Sequence, residues 1–366
     1  MGRKKLVRRF IMTKRNRKLI PVLIGLLIGA LTQVHAQESV APSHQADFPL
    51  WAYGYITPPE PPEDWSQSCL GSRPRDCDRP GGMPKDPTNK LLQVEGSELE
   101  FTLAVITSTF SPADWFPGDH PPMPEIVAHG NEEIGLRACA ICHLPNGQGL
   151  MQNAPVAGLS VEYFLQQLDD LATGKRVTSD PHKANGFEMA AMARALTPEQ
   201  ARQAAEYYSS IPFKPWVEVV ESDTVPKFSA SRNGLFTKNE GDETEPLGQR
   251  LIELPKSTYD TNYLRNPRSG MIAYAPVGSL ARGEELVTTG GDVSVECLTC
   301  HGQDLRGTVI GPPIAGRQPS YIGRQLHDMQ KGNRNGAMAA TMQLAVNRLT
   351  MDDIIAISAY VASRQP

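Results

Sequence analysis

Two short cysteine motifs carry the most explicit chemistry in this sequence of 366 residues. Both have the spacing C-x-x-C-H, in which two thiols can form thioethers with the two vinyl groups of one haem while the adjacent imidazole binds the iron. The sequence therefore predicts two covalently bound haem c groups. The predicted attachment sites are Cys139, Cys142, Cys297 and Cys300, and the predicted axial ligands are His143 and His301.

Two other functions of paired cysteines, a redox motif and a zinc site, explain fewer features of the sequence than haem attachment does. A thioredoxin-like redox motif does not need the His, and it follows a strand in a βαβ pattern that this sequence lacks. A zinc site would have to draw four ligands together from both motifs. Such a site would leave unexplained why the residues around the motifs also recur.

The recurrence is an internal repeat. A shift of 158 residues superposes the two motifs and places Pro155-Val-Ala-Gly on Pro313-Ile-Ala-Gly. Beyond a five-residue deletion the shift becomes 153 residues. Two homologous haem domains in succession account for this pattern. The other matched pairs include Tyr163 and Tyr321, Gln167 and Gln325, Asp170 and Asp328, Met189 and Met342, and Leu196 and Leu349.

A haem of this kind needs a sixth ligand opposite the His, or an open site. The soft thioether sulfur of Met suits an iron that transfers electrons. Met189 and Met342 obey the repeat, each seven residues before a Leu that precedes a capping Thr, so we predict them as the sixth ligands. Met192 and Met338 are nearby alternatives that have no counterpart under the shift.

Four more residues inside the repeats bear on the haem. Pro155 and Pro313 offer a carbonyl without an amide hydrogen, and we predict that these carbonyls accept a hydrogen bond from the haem His and so fix the ring. The alternative is that they are only turn residues. His182 and His327 have no His at the matching position of the other repeat, and we expect both on the surface.

The elements that position these residues are predicted to be helices. Apolar residues recur at helical spacing over 163–171 and 354–361. Thr197-Pro-Glu-Gln has the form of a capping box with Pro at the first helical position, and Thr350 begins the partner helix in a similar way. Helices are also predicted ahead of the two motifs, at 131–137 and 279–288. The predicted fold class is therefore all-α haem domains.

These motifs resemble those of the dihaem cytochromes of the c4-like group. The resemblance rests on the tandem C-x-x-C-H, the Pro-x-Ala-Gly loop, the Tyr-x-x-x-Gln-Leu-x-Asp helix and the Met-x₆-Leu-Thr ending, and it covers about 129–211 and 279–363. It implies two tandem class I cytochrome c folds and one-electron transfer in a bacterial periplasm. It also implies His/Met ligation of both irons, by His143 with Met189 and by His301 with Met342.

The chain also has segments that the resemblance leaves out. We predict a signal peptide (1–36), a mostly irregular Pro-rich extension (37–128), cytochrome c domain 1 (129–211), a long linker (212–278) and cytochrome c domain 2 (279–366).

The extension offers three expectations. Cys69 and Cys77 are the cysteines left over in an oxidising compartment, and we predict a disulfide between them; a free or haem-ligating cysteine is the alternative. The aromatic stretches 51–55 and 113–122 either cover the first haem domain or dock a dehydrogenase subunit. A short strand is expected over 99–106.

The charge distribution indicates export. Residues 1–36 hold nine Lys and Arg and no acid, then an apolar run from Leu19 to Val34 and the small-residue site Val34-His35-Ala36. Cleavage there would release the body into the periplasm; an uncleaved membrane helix is the alternative. The remaining 27 basic and 40 acidic residues argue against nucleic acid or anionic lipid as a partner.

Two functions fit these features. The first is an electron carrier between a periplasmic dehydrogenase and a terminal oxidase or another cytochrome. The second is a dihaem enzyme, such as a peroxidase or a sulfur-compound oxidoreductase, which would need one iron with an open position and acid/base groups beside it. The matched Met189 and Met342 favour the carrier.

Overall fold

The computed structural model describes residues 48–56, 89–150, 153–180, 183–230 and 235–366. The predicted signal peptide, residues 37–47 and 57–88 of the Pro-rich extension, the predicted Cys69–Cys77 disulfide and His182 lie outside these residues. Within them, no helix is both long and apolar enough to cross a membrane.

Helices make up most of two stretches, 125–209 and 279–362, which we call the first and second helical regions. The helices are α1 (Leu50–Tyr53), α2 (Leu103–Ile106), α3 (Glu125–Ala128), α4 (Ala140–His143), α5 (Val161–Ala172), α6 (Ala184–Ala195), α7 (Pro198–Ser209), α8 (Ser279–Thr289), α9 (Leu298–His301), α10 (Pro319–Gln330), α11 (Ala339–Val346) and α12 (Met351–Ala362).

The helices begin where local sequence signals put them. The Thr197 side chain accepts a hydrogen bond from the Gln200 amide while the Gln200 side chain accepts one from the Thr197 amide, which forms the predicted capping box of α7. Thr350 and Asp353 start α12 in the same way. The helix predicted over 131–137 is only a 3-10 turn, Glu132–Ile134, because Gly135 takes a left-handed conformation and ends it.

The predicted linker contains short strands, contrary to the expectation of irregular structure. β3 and β9 pair in parallel, β9 and β8 pair antiparallel, and two hairpin-like pairs, β4 with β7 and β5 with β6, lie between them in sequence. The strands are β1 (Leu91–Leu92), β2 (Phe101–Thr102), β3 (Val217–Glu221), β4 (Thr224–Pro226), β5 (Phe228–Ala230), β6 (Phe236–Lys238), β7 (Thr244–Pro246), β8 (Ile252–Pro255) and β9 (Met271–Ala275).

The two tryptophans described in the extension pack in different places. Trp115 and Phe116 form a small cluster with Tyr263 and Leu264, which belong to the predicted linker. Trp51 instead joins the core of the second helical region, where a side chain at Gly323 of α10 would collide with its ring. The expectation that both aromatic stretches cover the first haem domain is therefore wrong for Trp51, whose ring needs the gap that only Gly323 leaves. The strand expected over 99–106 is reduced to β2, and α2 takes the rest.

Candidate functional site

The first C-x-x-C-H motif opens into a cavity of about 390 Å³. Cys139 precedes α4, and Cys142 and His143 lie on it, so one helical turn presents all three side chains to the cavity wall. Met189 and Met192, both on α6, line the same cavity. The predicted ligand and its alternative therefore lie on the same helix beside one cavity.

The second motif opens into a cavity of about 430 Å³. Cys297 precedes α9, and Cys300 and His301 lie on it. Met342 on α11 and Met338 at its N-cap both line the wall, but Met338 is 56% exposed whereas Met342 packs against the core. The two motifs thus line separate cavities, whereas a zinc site would need ligands from both motifs in one place.

Both imidazole rings are held by a backbone carbonyl. His143 Nδ1 donates to Ala154 O over 2.9 Å, and His301 Nδ1 donates to Pro312 O over 2.8 Å. Burial lowers the pKa of both imidazoles, so the neutral form prevails at neutral pH. With the proton on Nδ1, the lone pair of Nε2 is available to bind a metal.

The acceptors of these bonds correct the prediction for Pro155 and Pro313. Each histidine bonds to the carbonyl one residue earlier, because a proline restricts the preceding residue to extended backbone. The Pro155 and Pro313 carbonyls accept instead from Arg317, over 2.7 Å each. Each proline therefore affects the imidazole indirectly, by fixing the backbone of the residue before it, whose carbonyl accepts the hydrogen bond.

The four motif thiols are free and partly buried. Burial raises the pKa of Cys139 to about 12 and that of Cys297 to about 11. The Cys139 and Cys297 thiols are therefore protonated at neutral pH, unlike the exposed low-pKa thiolates of redox motifs.

One wall is common to both cavities. It is built from α5 and α10, whose bounds differ by 158 residues. The residues that line both cavities are Leu159, Tyr163, Gln167, Arg176, Tyr321 and Gln325. A group bound in one cavity would therefore be a direct neighbour of a group bound in the other.

Two arginines cross this wall in opposite directions. Arg176 donates to Tyr321 Oη and Gln325 Oε1, at 3.3 and 2.9 Å, and Arg334 donates to Tyr163 Oη and Gln167 Oε1, at 3.2 and 2.6 Å. The two sets of contacts interchange when each residue is replaced by its counterpart in the other repeat. Burial alone would raise the pKa of Tyr321, but the two guanidinium charges outweigh it and hold that pKa below its usual value.

The environment of His327 also departs from expectation. It is buried, 3% exposed, and its Nδ1 lies 3.1 Å from the Tyr53 hydroxyl, which donates to Asp328 over 2.6 Å. The prediction that His327 is a surface residue is wrong. The residue that covers it, Tyr53, lies 274 positions away in the extension, so no local sequence pattern could predict the burial.

The cavity walls fit a haem. Ligand pockets commonly have volumes of about 300–1,000 Å³, and each of these cavities offers two thiols and a neutral imidazole on one short helix. The carboxylates that a haem carries would find Arg176 and Arg334, which bond only to neutral side chains in the part of the chain described. Charged donors of this kind form strong hydrogen bonds with carboxylates.

The sequence reasoning missed the arginines of this site. Arg176 and Arg334 obey the 158-residue shift, so the repeat itself contained the signal. Arg317 and Arg265, which contact the motif loops, have no such counterpart.

Comparisons with known proteins agree with this geometry. The family model described as cytochrome c matches residues 280–365. Cytochrome c-554(548) of Halomonas halodenitrificans is 32% identical over 89 residues, which is 24% of this chain and 99% of that protein.

Two longer matches reach beyond the second helical region. A protein of Stutzerimonas stutzeri (strain A1501) named thiosulfate dehydrogenase electron acceptor is 23% identical over 242 residues, which is 65% of this chain and 84% of that protein. Cytochrome c4 of Stutzerimonas stutzeri is 24% identical over 252 residues, which is 64% of this chain and 89% of that protein.

Proposed function

The chain belongs to the cytochrome c family, whose members bind haem c covalently and transfer electrons, and we propose that it is a periplasmic carrier with two haem groups. The observation that carries this proposal is the pair of cavities with a common wall, each bearing two free thiols and a neutral imidazole. Adjacent cavities suit the passage of single electrons between two cofactors.

Each haem would be held by this chain in the same way. Cys139 and Cys142, or Cys297 and Cys300, form the thioethers, and His143 or His301 binds the iron through Nε2. Bound haem supplies one-electron chemistry. The chain's residues fix the imidazole tautomer through the Ala154 and Pro312 carbonyls and neutralise the haem carboxylates through Arg176 and Arg334.

We propose Met189 and Met342 as the sixth ligands. Both line their cavities, and both lie at the same place relative to the capped helix that follows, α7 or α12. Met ligation leaves no open iron position, and that favours a carrier over a peroxidase or a sulfur-compound oxidoreductase.

The proposed partners are redox proteins, with a periplasmic dehydrogenase as donor and a terminal oxidase or another cytochrome as acceptor. A relative's name, thiosulfate dehydrogenase electron acceptor, describes a role of this kind for that protein. Exposed apolar residues at the mouth of the second cavity, Val295, Val309 and Ile310, offer a surface for such transient contact. The basic and apolar leader of the sequence supports a periplasmic location.

Haem stoichiometry tests the proposal. Mass spectrometry of the denatured, exported protein should show two haem additions, and Cys142→Ser with Cys139→Ser should remove one of them. Optical and resonance spectra should show two low-spin irons with a Met-to-iron charge-transfer band. A single haem, or a high-spin iron in the resting protein, would contradict the dihaem carrier.

A further inference from the structure

An arginine from the predicted linker reaches into the first haem motif. Arg265 Nη1 donates to the carbonyl of Ile141, over 2.5 Å, between the two motif cysteines. The two residues lie 124 positions apart. Both helical regions contain the motif, but among the described residues the predicted linker donates a side-chain hydrogen bond to the backbone of the first motif and not to that of the second.

The backbone of Arg265 is fixed in an unusual conformation. Its φ is 53°, in the left-handed region that a non-glycine residue adopts only at a cost. The neighbouring Leu264 is buried, and its carbonyl accepts a hydrogen bond from the indole of Trp115 over 2.7 Å. The linker and the extension together therefore hold the arginine against the motif.

The charge of Arg265 is poorly compensated. Its Nε is buried and has no hydrogen-bond partner among the described residues, and no described carboxylate forms an ion pair with it. Arg137 and Glu188, the other charges that act on Cys142, pair with each other at 3.1 Å and largely cancel. A positive charge in a partly buried site is weakly screened by solvent.

At the second motif, the residue that matches Ile141 under the 158-residue shift is Thr299, and it contacts a side chain of the opposite charge. Thr299, between its two cysteines, donates through Oγ1 to Glu296 over 2.5 Å, and Glu296 lines the second cavity. Among the described residues, no Arg or Lys donates to the backbone of this motif. The two motifs thus have the same residue types in sequence, but the residue before the second cysteine contacts a cation in the first motif and a carboxylate in the second.

We infer that Arg265 sets the order of the two reduction potentials, so that an electron supplied by an external donor resides on the first haem in preference to the second. A nearby cation disfavours the ferric state, which carries one more positive charge than the ferrous state, and so it raises the potential; the Glu296 carboxylate does the reverse. This inference rests on the proposed dihaem function and adds a direction of electron flow to it.

Redox titration of the full-length holoprotein tests the inference. The two potentials are assigned by NMR, through contacts of haem substituents with Ile141 or with Leu298. In the wild-type protein the first haem should have the higher potential. Arg265→Gln should lower the first potential and leave the second unchanged, whereas Arg265→Lys, which keeps the charge, should retain most of the wild-type value.

Two further variants complete the test. Glu296→Gln should raise the second potential, by less than Arg265→Gln lowers the first because Glu296 is exposed and screened. Arg202→Gln, which removes an exposed guanidinium of α7 that lines neither cavity, is the matched control and should change neither potential.

The outcomes separate this inference from the proposed function. Fewer than two haems by mass spectrometry would contradict the function itself. Two haems with a reversed order of potentials, an unchanged first potential in Arg265→Gln, or equal shifts at both haems would overturn the role of Arg265 alone. If Arg265→Gln does not fold, the inference is still tested by the order of the two potentials in the wild-type protein and by the shift of the second potential in Glu296→Gln.

Discussion

The carbonyls of Ala154 and Pro312 determine which ring nitrogen of His143 and of His301 is free to bind a metal. Each carbonyl accepts the Nδ1 proton over less than 3 Å, which orients Nε2 towards the cavity and increases the basicity of the ring. The two sites are therefore matched on the histidine side. Any difference between them at this scale arises from the opposite ligand and from neighbouring charges.

The opposite ligands give the first residue-scale prediction. Because Met ligation raises the potential of a haem relative to nitrogen ligation, Met189→His should lower one potential and Met342→His the other. Each change should also remove one charge-transfer band, while the covalent haem count stays at two. Spectroelectrochemistry of the two single variants measures both effects.

The neighbouring methionines supply the control. Met192→Leu and Met338→Leu keep an apolar side chain on the same cavity walls and should change neither potential. If Met192→Leu abolishes a band that Met189→His leaves intact, the sixth ligand at the first site is Met192. The same comparison of Met338→Leu with Met342→His applies at the second site.

The short helix α1 makes long-range hydrogen bonds that its own sequence does not predict. α1 has only four residues, yet Tyr53 bonds to Asp328 and lies against His327 of α10, and the Ala52 carbonyl accepts from Arg324 of the same helix over 2.6 Å. Lys183, at the N-cap of α6, donates to the Tyr53 carbonyl over 3.1 Å. The short helix thus links both helical regions.

The Tyr53 hydroxyl gives an element-scale prediction. Tyr53→Phe removes the donor to a buried carboxylate and should cost about 1.5–3 kcal/mol of unfolding free energy, the typical contribution of a hydrogen bond to a charged group. Chemical denaturation of the holoprotein measures the loss. Tyr274→Phe in β9 is the control, since no hydrogen bond is described for its hydroxyl, and it should change stability little; equal losses in both variants would contradict the role of the Asp328 bond.

What the sequence predicts depends on the range of the interaction. The capping boxes at Thr197 and Thr350 act over three residues, so α7 and α12 begin where expected. β3 was not predicted, because its residue Val217 pairs with Met271 of β9, far along the chain, and no closer strand pairs with β3. Likewise, the motif cysteines are evident from their spacing, whereas Arg265 reaches the site from 124 residues away.

At the scale of the whole molecule, the two helical regions are joined by contacts that follow the repeat. Val177 donates its amide to Asn333 O over 2.8 Å, and Asn335 donates its amide to Lys175 O over 2.6 Å. These two contacts interchange when each residue is replaced by its counterpart in the other repeat. The crossed contacts of Arg176 and Arg334 lie beside them. A duplicated sequence therefore forms its own complementary interface.

Arg317 breaks this symmetry and joins both motif loops. Its guanidinium donates to Pro313 O in its own loop and to Pro155 O and Ala157 O in the other, at 2.7, 2.7 and 3.0 Å, and it stacks over the Phe213 ring at 4.6 Å. The side chain is 2% exposed. Because it satisfies carbonyls on both sides, it should make the unfolding of one region depend on the other.

Arg317→Met tests that dependence, since Met keeps much of the length and removes every donor. Three buried carbonyls would lose their partner, at a cost of roughly 3 kcal/mol in unfolding free energy. In the wild-type protein, hydrogen exchange of α7 and of α12 should be lost together as denaturant rises, and in Arg317→Met the two helices should lose protection at separate concentrations. Arg364→Met is the matched control, because Arg364 also stacks on a ring, that of Tyr360 at 4.4 Å, while among the described residues its guanidinium bonds only to Ser363. If α7 and α12 still lose protection together in Arg317→Met, or if they separate equally in Arg364→Met, the coupling is carried by the repeated contacts around Arg176 and Arg334 instead.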